Sequence, residues 1–174
     1  MGNNPAFNAR LLSNMSFDKF YRVYVVGDQL FFIRIGGQGG LRQGITHQMG
    51  LLGLLIESLM KKRTEKKEKA FIETIDQADP EQLLTRHKDN FRLGSVALHE
   101  GSLDPPSFFA THGPHVGRCL LNLRDGKKTN LQFEKTEDMR IALDVLPTLF
   151  SSRFRVNVRW NENKKKYEKR ADAA

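Results

Sequence analysis

Asn122–Phe150 reads NLRDGKKTNLQFEKTEDMRIALDVLPTLF, and with the preceding VGRCLL it decides the fold. Two runs suited to strands flank Asp125-Gly126, a pair that fits a type I′ turn because glycine accepts the positive φ required at the second turn position. Val116–Phe133 is therefore predicted to be a β-hairpin. Thr136 then stands where a helix N-cap is wanted, with Glu137 and Asp138 in the first turn, near the positive end of the helix dipole. Met139, Leu143, Leu146 and Phe150 recur at helical spacing, and Ala142 and Leu149 widen the same face. The result is an amphipathic helix, about 136–150, able to close against a sheet. Pro147 should kink or end it near its last turn.

Upstream, Phe20–Val26 and Leu30–Ile35 are rich in aromatic and β-branched residues around Gly27-Asp28. They predict a hairpin that opens the sheet. Asp79-Pro80 is a helix start, with aspartate as N-cap and proline in the first turn, and the short helix should run from Pro80 to about Lys88 and stop at Asn90. Phe91–His99 reads as one strand, and Glu100–His115, with Pro105, Pro106, Gly113 and Pro114, as a loop. Downstream, Arg153–Trp160 alternates strictly. Phe154, Val156, Val158 and Trp160 share one face, while Arg153, Arg155 and Arg159 share the other. Asn161-Glu162-Asn163 should turn the chain into a short return strand around Tyr167, within a basic C-terminal strand and tail, 153–174.

At YRVYVVGDQLFFIRI and again at NLRDGKKTNLQFEKTEDMRIALDVLPTLF the chain resembles the small bacterial members of the pleckstrin-homology-like (PH-like) superfold. The resemblance covers roughly 18–36 and 91–150. It implies an α+β domain, 1–170, with a PH-like antiparallel sheet or partly open barrel closed by a C-terminal amphipathic helix. A long helical insertion, about 45–88, follows the second strand. The resemblance also implies binding of phosphoinositides, anionic membranes or peptides rather than catalysis. It carries over no phosphate-binding residue, since the turn Val26–Gln29 holds no Lys or Arg.

Within the insertion, Thr46–Ala78 is the longest candidate helix. Met49, Leu52, Ile56, Leu59 and Met60 form one apolar stripe at about 100° per residue, and Leu51, Leu54 and Leu55 cover much of the opposite side. A helix apolar nearly all round needs a partner on more than one side, so these three leucines form a candidate apolar interface. A single straight helix over the stretch would be roughly 50 Å long, which predicts a bend, a break near Thr64 or a projecting arm. Lys61–Lys69 carries six basic and two acidic residues, a net of +4, and Arg153–Arg170 carries eight and two, a net of +6. Because the whole chain is +8, its basicity lies in two patches on a nearly neutral body. Such patches attract phosphates or anionic lipid. The candidate anion-binding residues are Lys61, Lys62, Arg63, Lys66, Lys67, Arg153, Arg155, Arg159, Lys164, Lys165 and Lys166.

Catalytic motifs fail on inspection. In GGQGGLRQG, Gly36–Gly44, Gly39 and Gly44 have P-loop spacing, but Ile45 and Thr46 follow where Lys and Ser/Thr belong, and Arg42 stands where the dinucleotide fingerprint wants its third glycine. No serine has the G-x-S-x-G context. His99 and Glu100, as neighbours in a strand, point to opposite faces. Cys119 has no evident base beside it and reads as a buried structural cysteine. His112, His115 and Cys119 lack a fourth ligand for a metal, so neither metal nor cofactor is expected. One cysteine permits no intrachain disulfide, and Met49–Leu59 is too short to span a bilayer. Phe outnumbers Tyr and Trp together, 12 to 4, which favours core packing over stacking of bases. The expectation is a non-enzymatic, cytoplasmic binding or scaffold module. Its partner is an anionic membrane surface, contacted peripherally, or a protein. The alternatives are a homo-oligomeric assembly protein or nonspecific nucleic-acid binding through the basic C-terminal strand.

Overall fold

A computed structural model describes residues 4–13, 18–36, 70–107 and 114–171. The strands are β1 (Ala6–Leu11), β2 (Lys19–Val26), β3 (Gln29–Gly36), β4 (Phe91–Gly94), β5 (Leu98–Asp104), β6 (Gly117–Leu123), β7 (Lys128–Phe133), β8 (Phe154–Val156), β9 (Val158–Asn161) and β10 (Lys166–Lys169). Residues 70–76 are helical, and two further helices are α1 (Pro80–Leu84) and α2 (Thr136–Phe150). The chain is α+β, built on one eight-stranded sheet in the order β4-β3-β2-β1-β7-β6-β5-β8 and a separate β9–β10 hairpin. Every pairing is antiparallel except β5–β8. The sheet is not closed into a barrel; β4 and β8 are its edges.

Strand parity sorts the apolar residues onto two faces. Phe7, Ala9, Tyr21, Val23, Leu30, Phe32, Leu121, Leu131 and Phe133 pack with Met139, Ala142, Leu146 and Phe150 of α2 in the main core. On the other face of β1–β3, Ala6, Tyr24, Phe31 and Ile33 pack with Ile75 and Leu83 from the helical stretch and α1. Burial on both faces explains why β2 and β3 read as nearly continuous apolar runs. The helical stretch is also held by charge: Asp76 accepts from Arg22 at 3.1 and 3.0 Å and from the Tyr24 hydroxyl at 2.6 Å. Val158 and Tyr167 join the main core from the β9–β10 hairpin, where the Tyr167 ring meets Trp160 edge-on at 5.0 Å.

Several expectations are corrected. The β2–β3 hairpin does not open the sheet, because β1 precedes it and pairs with β2 along all six of its residues. Phe7 and Ala9 share the core face of β1, but Asn8 and Arg10 between them leave the run without the apolar weight of a strand. The chain from 37 onward therefore follows the third strand, not the second. Phe91–His99 is two strands around a 3₁₀ turn at Ser95–Ala97, and β5 runs on to Asp104 where a loop was expected. Glycine at 101 and acidic or polar residues elsewhere in β5 concealed it. The Asp-Gly turn is not type I′. Gly126 alone has positive φ (83°), and Gly126 N–H donates to Leu123 O at 3.0 Å, which is a type I turn closed by a left-handed glycine. Thr136 is the first helical residue, and Lys135 at the N-cap makes no side-chain cap. α2 runs through Pro147 to Phe150, with proline confined to the last turn. Asn157 breaks the expected basic strand into β8, parallel to β5, and β9, paired with β10. α1 starts on Asp79, whose carboxylate accepts from Glu81 N–H, but ends at Leu84. There Asn90 Nδ2 donates to Leu83 O at 2.7 Å.

Candidate functional site

The sheet consists of two four-stranded halves whose backbones are joined where β1 meets β7 and at the β4–β5 corner. β1 meets β7 through two residue pairs, Arg10 with Gln132 and Leu11 with Leu131. At the opposite end β4 turns into β5 through Ser95–Ala97, and Arg124 N–H donates to Ala97 O at 2.9 Å to pin the β6–β7 turn against that corner. Between these two joints the halves part. A groove of about 540 Å³ opens there.

Its first wall is β4, whose outer edge pairs with no other described strand. Phe91 and Leu93 turn toward the core side, Phe91 stacked on Phe32 at 4.3 Å. The second wall is the β6–β7 turn and the start of β7, with Leu123 at the floor and Arg124, Lys127 and Lys128 on the rim. Two of the four rim cations hold carboxylates. Arg92 meets Glu81 at 3.2 Å and Lys127 meets Asp125 at 2.8 Å, all four side chains more than half exposed. Lys127 holds the Asp125 carboxyl below its ordinary range. Among the described residues no carboxylate engages Arg124 or Lys128, both exposed. Beside the corner stands Val96, 71% exposed. The arrangement offers an apolar floor, a basic rim and a strand edge that pairs with no other described strand.

The C-terminal candidates are placed differently. Arg153 donates to Leu98 O at 2.8 Å and so serves the fold. Arg155 pairs with Glu100 at 2.9 Å, Lys165 with Glu162 at 3.0 Å, and Lys164 and Lys166 with Glu168 at 2.9 and 3.8 Å. Asn161 adds a further donor to Glu168 at 2.8 Å. Lys164 and Asn161 hold the Glu168 carboxyl below its usual range. Arg159 is exposed and lies opposite Glu168 in the β9–β10 register. Lys164, Lys165 and Lys166 of the hairpin are thus engaged with its own carboxylates, and Arg155 of β8 with Glu100. Lys61, Lys62, Arg63, Lys66, Lys67 and the interface leucines Leu51, Leu54 and Leu55 lie outside the described residues, as do Thr64, His112 and the glycine-rich run from 37.

His115 turns Nδ1 to Gly117 O at 3.1 Å and Nε2 to Ser107 O at 3.5 Å. Cys119 is fully buried in the main core, where burial pushes its thiol far above the ordinary value. A thiol so placed is neither a nucleophile nor an accessible ligand. Among the described residues no group of three His, Cys, Asp or Glu side chains is arranged to hold a metal ion. No described helix is long and apolar enough to cross a membrane.

Compared with models of known families, with curated proteins and with solved structures, the chain matches none. The groove residues Phe91, Leu93, Arg124 and Lys128 were not singled out from sequence. Their signal was present in RDGKK, a turn with three cations and one carboxylate, but charge density ranked the longer basic runs above it.

Proposed function

We propose that the chain is a non-enzymatic, PH-like binding module whose partner is a protein docked in the groove between β4 and the β6–β7 turn. The PH-like reading rests on element order: a four-strand meander, a three-strand meander and then a long amphipathic helix, with helical residues set between β3 and β4. The observation that carries the partner-binding reading is the groove itself, where an apolar floor, two cations that no described carboxylate engages and a strand edge that pairs with no other described strand converge. Such convergence of apolar surface with a few polar groups is the usual mark of a recognition site.

The test is selection of octapeptide ligands from a randomised display library on the full chain, repeated on Thr129→Trp, which fills the groove from β7. Binders that lose affinity for Thr129→Trp, while its melting temperature stays at the wild-type value, support the reading. Binders indifferent to the substitution overturn it.

A second reading, contact with an anionic membrane through the β9–β10 hairpin, draws on the net +6 of Arg153–Arg170. Its ion pairs are exposed and individually weak, so lipid phosphates can exchange with them. Sedimentation with phosphatidylserine vesicles that is unchanged in Arg159→Glu/Lys169→Glu would exclude it.

A further inference from the structure

We infer that the occupant of the groove is an extended segment of a protein partner, carrying acidic side chains beside apolar ones, which adds to β4 as a further strand. This rests on the partner-binding reading and specifies its chemistry. Three observations converge on it. β4 pairs with β3 from Gln29–Gly94 to Phe32–Phe91 and with nothing described on its other side, so that side presents backbone donors and acceptors at strand spacing. The opposite edge of the sheet is built otherwise. β8 is three residues long, carries Arg155 and gives way at Asn157, whose N–H returns to Leu103 O at 2.9 Å. A short, charged, interrupted edge resists added strands; β4 instead faces an open groove.

The chemistry of the walls selects the occupant. In an extended segment, alternate side chains point to opposite faces. One set would descend to Phe91, Leu93 and Leu123, and the other would rise to Arg124 and Lys128. Only a segment with carboxylates in the second set complements these exposed cations, which no described carboxylate engages. Arg92 and Lys127 add to the attraction because their present partners, Glu81 and Asp125, are exposed and exchangeable. Val96 at the corner supplies the apolar surface that the end of such a segment would cover. The four residues of β4 span roughly 13 Å at strand rise, so about four residues of the partner form the ladder. Main-chain bonds of this kind supply affinity, while the alternating pockets supply choice.

The experiment uses the octapeptide pool selected on the full chain, with hydrogen exchange and the charge reversal Arg124→Glu/Lys128→Glu. Both substituted residues are exposed, and retention of the wild-type melting temperature confirms the fold. The expected pool is enriched in Asp and Glu alternating with apolar residues. It slows amide exchange within Phe91–Gly94 and loses about tenfold in affinity on charge reversal, with less loss at high salt. A pool lost on Thr129→Trp that shows no acidic preference, or leaves the β4 amides unprotected, overturns strand addition and leaves partner binding standing. A pool indifferent to Thr129→Trp sinks both. Displacement of the pool by phosphatidylserine vesicles would assign the groove to a membrane, and concentration-dependent dimerisation abolished by the charge reversal would assign it to a second copy; either result overturns the proposal.

Discussion

Gly101 lies at the centre of β5, under the ring of Phe154, and the consequence of adding one methyl group there can be worked out. A Cβ at position 101 would stand 2.6 and 2.9 Å from Cδ2 and Cε2 of Phe154 and 3.2 Å from Leu120 O. Carbon atoms are comfortable at about 3.5–4.0 Å, so the ring must retreat by roughly 1 Å. Phe150 blocks it, since the two rings stack at 5.6 Å and Phe150 is fully buried at the end of α2. Overpacking of this kind costs about 1–3 kcal/mol. Replacing glycine by alanine also restricts the unfolded chain, which returns about 0.4–1 kcal/mol. Gly101→Ala is therefore expected to destabilise by up to about 2.6 kcal/mol, with about 1.3 kcal/mol at the middle of the two ranges, or roughly 3–5 °C in melting temperature at that midpoint for this chain length. The assay is urea and thermal unfolding of a double-mutant cycle with Phe154→Leu, which frees the space the methyl needs. In that background only the 3.2 Å approach to Leu120 O remains, so Gly101→Ala should cost clearly less than in the wild type. Equal cost in both backgrounds would refute the claim that β8 is held on β5 by the fit of a ring over a bare backbone.

Three further perturbations test other joints of the fold. Ser151 holds φ 51° and ψ −133° at the C-cap of α2 while exposed, a conformation unfavourable for an L-residue with a side chain; Ser151→Gly should raise stability by about 0.5–1 kcal/mol in urea melts, and a loss would contradict that strain. Asp76→Ala strips Arg22 and Tyr24 of their shared acceptor and should cost about 1–3 kcal/mol, seen as faster amide exchange across residues 70–76; unchanged exchange would show that the apolar contacts of Ile75 suffice. Asp138 is 6% exposed and accepts from Asn8 N–H at 2.7 Å, and burial raises its pKa above 3.8 against the lowering effect of that bond. The folded state then holds the proton more tightly than the unfolded one, so the contribution of this group is present in full below pH 3.8 and is lost as pH rises through the folded pKa. Asp138→Asn keeps an acceptor for Asn8 and removes the titration, so its stability relative to wild type should climb with pH across that window; a flat or falling difference refutes the assignment.

The parts of the fold legible in sequence were those where one local signal sufficed. Asp125-Gly126 between apolar runs located the β6–β7 hairpin, but its register hangs on the turn type: the observed turn pairs Leu121 with Thr129 and Cys119 with Leu131, which puts Leu121 and Leu131 on one face, whereas a two-residue type I′ turn would shift the register by one and part them. Helical spacing from Met139 to Phe150 located α2 almost to the residue. What escaped notice depended on distant partners. Residues 6–11 become a strand because β2 pairs with them along their whole length, and AFNARL by itself is too polar and too short to declare that. β5 is hidden for a related reason: Gly101 is required by Phe154, more than fifty positions later in the chain. The candidate site was less legible than the fold. A run of like charges stands out in a sequence, but whether its cations are committed is a matter of folded geometry, and Glu100, Glu162 and Glu168 engage Arg155, Lys164, Lys165 and Lys166 of the C-terminal patch. Arg124 and Lys128 attracted no attention because a lysine-rich hairpin turn is commonplace until its opposite wall is known.

That opposite wall follows from topology. In a meander of four strands followed by a meander of three, the last strand of the first half and the first strand of the second are consecutive in sequence, so β4 and β5 share a corner. Sharing a corner is not pairing. β5 takes β6 and β8 as neighbours, which leaves β4 no partner but β3 among the described strands and sets its outer edge against the β6–β7 turn. Filling the groove with this chain's own side chains would require large apolar residues at Ala97 and Thr129; both are small, and both line it. Closing it electrostatically would require acids opposite Arg124 and Lys128, yet Asp125, the one carboxylate among the described lining residues, is held by Lys127. The same two facts that leave the seam open carry the proposal made for its ligand. A strand-shaped, acidic segment supplies backbone to β4, bulk above Ala97 and Thr129, and carboxylates to the two cations at once. A basic or compact ligand satisfies at most one of the three.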